Sequence, residues 1–137
     1  MSHRTLTRRD FIVSGTAAAA VITSHRSLSQ TSDLADLTIQ DAAASIRSGA
    51  ISPVEITRAY LGRIADLDPR LNAFITITED LALQQAREME AELSRGQWRG
   101  PLHGIPIALK DNIDTAGILT TAASAVFADR IPTEDAE

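Results

Sequence analysis

The stretch Arg99–Asn112, RGPLHGIPIALKDN, decides which fold this chain can adopt. It begins with glycine and proline, continues as the apolar run Ile105–Leu109 and ends on the charged Lys110. A short apolar run without alternation is typical of a strand that is covered on both faces, as in an α/β sheet. We therefore expect Lys110 at the carboxyl end of a buried inner strand, where open α/β sheets commonly place their sites.

Lys110 is the only lysine among the thirteen lysine and arginine side chains of the sequence. Burial shifts an ammonium group toward the neutral amine, and a neutral amine can act as a base. Arginine cannot take this role, because its guanidinium keeps its proton at working pH. Position and composition leave two roles open for Lys110. It is either a general base or an ordinary surface charge, and the second is the commoner role of a lysine.

The same stretch resembles the lysine-bearing segment of the amidase signature family, which reads G-P-L-x-G-(I/V)-P-(I/V)-x-x-K-D-N-(I/F). Residues 100–113 match this pattern, and TTAAS at residues 120–124 falls where the family has a T-T-x-x-S run. The resemblance implies an α/β/α sandwich, with a mixed central sheet flanked by helices. This chain would supply its mostly helical N-terminal part. The resemblance also implies that Lys110 is the base of a Ser-Ser-Lys triad.

The implied reaction is hydrolysis of a carbon–nitrogen bond in a linear amide through an acyl-enzyme. Lys110 would accept a proton from a bridging serine, and a second serine would attack the amide carbonyl. The family carries both serines in a downstream glycine- and serine-rich segment that residues 1–137 do not contain, and Ser124 is not the nucleophile. We therefore expect a longer enzyme, and no activity from this chain alone. Asp111 and Asn112 are candidates for orienting the loop or the ammonium form, outside the catalytic set.

The N-terminus reads as an export signal. Thr7–Ile12, TRRDFI, resembles the twin-arginine pattern, and the apolar run Phe11–Ile22 is shorter than the roughly 20 residues that span a bilayer. The sequence predicts a twin-arginine signal peptide at residues 1–29, cleaved after a small-x-small site, and amidase-domain sequence at residues 30–137. The export machinery is then a partner, and the location is periplasmic or extracytoplasmic without stable membrane insertion. An uncleaved anchor or an ordinary amphipathic helix is the alternative.

Composition excludes several classes of protein and site. The chain has no cysteine, which excludes a thiol nucleophile, a disulfide framework and a cysteine-based zinc site. Its formal net charge of −5 argues against a nucleic-acid partner, since phosphate binding needs basic clusters. No histidine and carboxylate cluster has ligand spacing, so we predict neither a metal nor a cofactor. The expected substrate, by resemblance, is a small-molecule amide.

Local signals predict three helices and one strand before the lysine segment. Thr38 is the expected N-cap of the first helix, and Ser52–Glu55 has the serine, proline and glutamate of a strong second start. We expect Pro69 to end that helix. The β-branched and aromatic Leu71–Ile77 predicts a strand, and the apolar spacing over Glu79–Ser94 predicts a third helix.

Three functions stay open at this level. The first is an exported amidase. The second is an amidotransferase component that supplies ammonia for tRNA-bound glutamine, similar to glutamyl-tRNA amidotransferase A, which an export signal disfavours because its substrate is cytosolic. The third is an exported interaction module without catalysis, in which Lys110 is a surface charge. A downstream run with two suitably placed serines would favour the enzymes over the module.

Overall fold

The computed structural model describes residues 34–137. Its three helices of more than one turn are α1 over Ile39–Arg47, α2 over Pro53–Leu71 and α3 over Glu79–Ser94. The rest consists of turns and extended loops with a single 3-10 turn at Ala125–Phe127. The predicted signal peptide lies outside the described residues. Among the helices that are described, none combines the length and the apolarity needed to cross a membrane.

Both helix starts predicted from the sequence are confirmed. The Thr38 hydroxyl accepts the N–H of Asp41 at 3.2 Å. At the start of α2, the Ser52 hydroxyl accepts the N–H of Glu55 at 3.1 Å, and the Glu55 carboxylate accepts the N–H of Ser52 at 2.8 Å. These bonds satisfy backbone donors that have no partner within a helix, so side chains close in sequence fix where each helix begins.

The predicted end of α2 at Pro69 is wrong by part of a turn. Pro69 lies inside the helix, which continues to Leu71. The helix then closes at Asn72, whose φ of 48° is left-handed and whose N–H donates to the Asp68 carbonyl at 2.8 Å. Asparagine tolerates this conformation better than most residues. A left-handed cap, and not the proline, therefore determines the end of the helix.

The predicted strand over Leu71–Ile77 is also wrong. Leu71 is helical, and the following residues run to α3 without a ladder. One carboxylate oxygen of Asp68 accepts the N–H groups of Ala73 and Phe74, at 2.7 and 3.1 Å. A local side chain therefore binds amides that a strand would present to a neighbour.

A small core lies where the three helices meet. Its centre is formed by Ala42 and Ile46 of α1 and Ile56 of α2, with Ile46 and Ile56 essentially inaccessible to water. Helix α3, whose predicted bounds are confirmed, packs against α2. Side chains packed around this centre are Leu37, Ile51, Tyr60, Leu93, Trp98 and Ile105. Ile105 thus anchors the start of the lysine segment to the helical unit.

The expected buried inner strand over Ile105–Leu109 is absent from residues 34–137. The segment is extended but pairs with no strand there, and Ile107 and Leu109 are 71% and 53% exposed. A strand is stable only when a neighbour satisfies its backbone groups, and the part of the chain that the structure describes supplies none. This part is a mostly helical piece, as expected, and by itself it does not form the α/β/α sandwich.

Candidate functional site

The glycine-rich approach to the lysine segment rests directly on the first turn of α2. Gly104 has a φ of 72°, a left-handed conformation that glycine adopts without penalty. A Cβ atom at this position would lie 2.7 Å from Cγ and 2.9 Å from Cβ of Pro53. The motif glycine is therefore required for both its conformation and its close packing, and it fixes the loop against the capped end of α2.

His103 ties the same loop to α3. Its side chain is only 3% exposed, and its Nδ1 accepts the N–H of Arg99 at 3.3 Å. Because Nδ1 is an acceptor, a neutral ring carries its proton on Nε2, which lies 2.9 Å from the Met89 carbonyl and donates to it. Trp98 stacks on the ring at a centroid distance of 5.1 Å. Sequence reasoning missed this structural role, and no local pattern identified it.

An ion pair reinforces the attachment of this loop. The Arg99 guanidinium donates from Nε and one terminal nitrogen to the two carboxylate oxygens of Glu92, at 2.6 and 2.5 Å. The hydrogen bond from Arg99 lowers the pKa of the Glu92 carboxyl, and the nearby positive charge acts in the same direction. Residues 99–104 are thus attached to α3 by both a fork-shaped ion pair and a buried histidine.

Lys110 follows on the exposed side of this anchored loop. The side chain is exposed in the described part of the chain, in contrast to the expected burial. Its carbonyl accepts the N–H of Ile113 at 2.9 Å, which closes the polar turn that the sequence predicted after the lysine. No carboxylate of residues 34–137 forms an ion pair with its amine. The amine is therefore available to a group that reaches it from outside this unit.

Asp111 joins the lysine segment to residues 120–124, the second block of the sequence pattern. One of its carboxylate oxygens accepts the N–H of Thr121 at 3.0 Å. The other accepts the Thr121 hydroxyl at 2.6 Å and the N–H of Ala123 at 3.1 Å. The Thr121 hydroxyl is the largest cause of a lowered pKa at Asp111, followed by the Thr121 amide. The expectation that Asp111 could orient the loop is thus met by its contacts.

The segment that Asp111 holds has an unusual backbone. Ala122 and Ala123 have φ values of 50° and 51°, a left-handed region that is unfavourable for residues with a Cβ atom. The Ala122 N–H donates to the Asp111 carbonyl at 2.8 Å, and the N–H of Ser124 donates to the Thr121 carbonyl at 2.9 Å. Consecutive left-handed alanines persist only where the surrounding contacts impose them.

A second carboxylate closes the end of the described chain on itself. Asp114 forms a two-pronged ion pair with Arg130, with one N···O distance of 2.7 Å. The hydrogen bond from Arg130 lowers the pKa of the Asp114 carboxyl. The Arg130 carbonyl also accepts the N–H of Thr120 at 2.9 Å. The two halves of residues 110–137 are therefore bound together by carboxylate hydrogen bonds instead of a sheet.

The other residues of the predicted motif have simpler roles. Asn112 is exposed. The Ser124 hydroxyl accepts the N–H of Val126 at 3.3 Å and caps the 3-10 turn. Within residues 34–137, no group of three histidine or carboxylate side chains could hold a metal ion. The structure thus brings together Lys110, Asp111 and the Thr121 turn.

Comparison with known proteins identifies the family of this arrangement. The family model described as Amidase matches residues 55–137, a range that includes Gly104, Lys110 and the Thr121 turn. The A-type subunit of glutamyl-tRNA(Gln) amidotransferase from Carboxydothermus hydrogenoformans is 40% identical over 100 residues, which cover 73% of this chain and 21% of that protein. The protein of the same description from Synechococcus sp. (strain JA-2-3B'a(2-13)) is 54% identical over 81 residues, which cover 59% of this chain and 16% of the relative.

A solved structure agrees with the sequence comparisons. The crystal structure of PAM12A superposes with a TM-score of 0.69 and 42% sequence identity, over 76% of this chain and 21% of that one. The chain therefore spans about a fifth of the length of these relatives. Both the sequence pattern around Lys110 and the fold of the surrounding unit agree with the family match, and this chain belongs to the amidase family.

Proposed function

We propose that residues 30–137 are the N-terminal part of an amidase that hydrolyses the carbon–nitrogen bond of a small-molecule amide, with Lys110 as its base. The observation that carries this proposal is the family match over residues 55–137, which contains the only lysine of the sequence. The Gly104 contact with Pro53 adds support, because a glycine of the same motif is needed for a defined loop leading to that lysine.

In the proposed enzyme, later parts of the domain cover the lysine segment. Ile107 and Leu109 lie directly before Lys110 and are both more than half exposed in the described unit. Exposed apolar side chains clustered in this way are typical of surfaces that pack against another part of a protein. Covering them would also remove water from Lys110, which favours the neutral amine that a base requires. The exposure of Lys110 in residues 34–137 is thus compatible with burial in the complete domain.

The proposed reaction follows a proton from serine to lysine and back. Neutral Lys110 accepts the hydroxyl proton of a bridging serine, which takes the proton of the nucleophilic serine. The nucleophile attacks the amide carbonyl, and backbone N–H groups stabilise the oxyanion. The carbon–nitrogen bond then breaks, and the relayed proton leaves with ammonia or an amine. Water releases the acid from the acyl-enzyme and restores both hydroxyl groups.

A second candidate function is that of an amidotransferase component. It is favoured by the relatives of 40% and 54% identity, both described as the A-type subunit of glutamyl-tRNA(Gln) amidotransferase. The twin-arginine pattern in residues 1–29 favours the exported amidase instead, because a tRNA-bound substrate is cytosolic. We propose export through the twin-arginine machinery to the periplasm. Detection of the processed protein outside the cytoplasm would support the amidase, whereas purely cytosolic protein would support the amidotransferase.

The role of Lys110 is tested in the full-length protein with acetamide and benzamide as substrates. We expect Lys110→Ala and Lys110→Arg to lower the rate by about 10²- to 10⁴-fold, the usual contribution of a general base. Arg95→Gln, which removes an exposed cation at the end of α3, is the matched control and should leave the rate unchanged. Retained activity in Lys110→Arg would exclude Lys110 as the base, because arginine keeps the charge but cannot accept a proton.

The serines proposed to lie in a later segment give a second test. A chain of residues 30–137 should hydrolyse neither acetamide nor benzamide above background, since the nucleophile belongs to that later segment. Hydrolysis by that chain would refute the Ser-Ser-Lys assignment. Release of ammonia from glutamine by the full-length protein, dependent on glutamyl-tRNA, would instead identify the amidotransferase.

A further inference from the structure

Both peptide groups next to the Asp111 Cα atom are fixed by hydrogen bonds. On the N-terminal side, the Lys110 carbonyl accepts the Ile113 N–H at 2.9 Å. On the C-terminal side, the Asp111 carbonyl accepts the Ala122 N–H at 2.8 Å. The Asp111 carboxylate adds its three bonds to Thr121 and Ala123. The backbone that carries the Lys110 side chain is therefore held from both directions.

We propose that Asp111 is a positioning residue, which fixes the left-handed Ala122–Ala123 turn and through it the direction of the Lys110 side chain. This inference rests on the proposed role of Lys110 as the base. Asp111 does not itself exchange a proton in the reaction. It acts by keeping two chain segments in one arrangement, so that the amine meets the bridging hydroxyl at the required distance.

The geometry explains why a carboxylate is needed at this position. Two backbone N–H groups and one hydroxyl converge on Asp111, and an ionised carboxylate is an acceptor at both of its oxygens. An asparagine has one acceptor oxygen and one NH₂ group. Whichever way its amide is turned, the NH₂ group faces the N–H of either Thr121 or Ala123. Asp111→Asn therefore removes one backbone acceptor without removing volume.

The strained turn supplies a test by suppression. Alanine at 123 adopts its φ of 51° because the contacts of Asp111 impose it, whereas glycine adopts such a φ without help. Ala123→Gly should therefore restore part of what Asp111→Asn loses. If Asp111 acted by its charge on the amine, glycine at 123 would restore nothing.

A nearby carboxylate offers a matched control. Asp114 has a similar set of strong hydrogen bonds, but it binds the Arg130 guanidinium and not the Thr121 turn. Asp114→Asn therefore perturbs the same loop region, and leaves the Asp111 contacts in place. The two variants separate a specific effect on the lysine from a general loss of loop stability.

The experiment measures steady-state hydrolysis and amide hydrogen exchange in the full-length protein. We expect Asp111→Asn to lower kcat by about 10- to 100-fold with little change in KM, as for misplacement of a catalytic group. Exchange at Thr121 and Ala123 should become faster in this variant. Asp111→Asn/Ala123→Gly should recover several-fold of the lost kcat, and Asp114→Asn should keep a kcat within about three-fold of the parent.

Four results would overturn the proposal. Unchanged exchange at Thr121 and Ala123 in Asp111→Asn would show that the carboxylate does not hold the turn. Faster exchange with an unchanged kcat would show that the turn does not position the lysine. An equal loss of kcat in Asp114→Asn would reduce the effect to general loop stability, and no recovery with Ala123→Gly would favour a direct electrostatic effect.

The same measurements distinguish this failure from failure of the proposed function. Full activity of Lys110→Arg would remove the base assignment, and the positioning role with it. Loss of activity in Lys110→Arg together with full activity in Asp111→Asn would leave the base assignment intact and overturn only the role of Asp111.

Discussion

Replacing Gly104 with alanine should separate two physical requirements that meet at one residue. The backbone of Gly104 is left-handed, with a φ of 72°, and an added Cβ would lie 2.7 and 2.9 Å from two atoms of the Pro53 ring. Gly96 has a similar φ of 76° but has no atom within 4 Å of the same added group. Gly96→Ala is therefore a control that carries the backbone penalty without the steric one.

The expected magnitudes follow from these two terms. A left-handed conformation costs an L-residue about 1 to 2 kcal/mol relative to glycine. Forcing a methyl group into a packed site costs about 1 to 3 kcal/mol, because a proline ring on a capped helix cannot turn aside. Gly104→Ala should therefore lower local stability by about 2 to 5 kcal/mol, and Gly96→Ala by only about 1 to 2 kcal/mol.

Native-state hydrogen exchange of the full-length protein is a suitable assay, since it gives the opening free energy of a chosen segment. The N–H of Ile56, which donates to the Ser52 carbonyl at 3.2 Å, reports on the first turn of α2. Its opening free energy should fall in Gly104→Ala and stay at the parent value in Gly96→Ala. Equal exchange at Ile56 in both variants would show that the loop does not press on Pro53, and the reasoning about the motif glycine would be refuted.

Two further changes test other parts of the unit. Ser52→Ala removes the capping-box hydroxyl and should destabilise α2 by about 1 kcal/mol in thermal or urea unfolding, with retention of full stability as the contrary result. The Asp114–Arg130 pair predicts a pH dependence: because the pKa of Asp114 is lowered in the fold, its contribution is complete above the ordinary pKa of about 3.9 and is lost as the pH falls through the lower folded value. The difference in melting temperature between the parent and Asp114→Asn should therefore be constant near neutrality and shrink in acid. A difference that grew in acid would contradict the assigned ion pair.

The helices could be predicted because the signals that begin them are local. Ser52 and Glu55 satisfy each other's backbone donors within one turn, so the sequence contains the complete interaction. The bounds of α3 were predicted for a similar reason, from the spacing of its apolar residues. The end of α2 was not, because Asn72 adopts a left-handed cap that competes with the more familiar signal of Pro69.

The predicted strands failed because strand formation depends on distant partners. Ile105–Leu109 has suitable residues, but nothing in residues 34–137 pairs with its backbone. In Leu71–Ile77, the side chain of Asp68 binds amides that a ladder would need, and no periodicity in the sequence indicates such a bond. Composition indicates which segments can form strands, while pairing decides which of them do.

The candidate site was only partly visible in the sequence. The motif singled out Lys110, whose catalytic role stays a prediction, and it left Asp111 as a candidate for orienting the loop. The contact of Asp111 with Thr121 joins residues that have no periodic relation, so only the folded chain shows it. The same holds for His103, which reaches the Met89 carbonyl on a different helix.

The apolar side chains that this unit leaves open have a consequence for biosynthesis. Val126 is 85% exposed and Ile131 is 58% exposed, and both lie on the same loop region as Ile107. In the proposed longer enzyme they would leave the ribosome before any later segment could shield them, at a synthesis rate of about 5 to 20 residues per second. During that interval the nascent chain would offer a greasy surface to holdase chaperones and to other copies of itself. Slow translation beyond Glu137 should therefore increase aggregation.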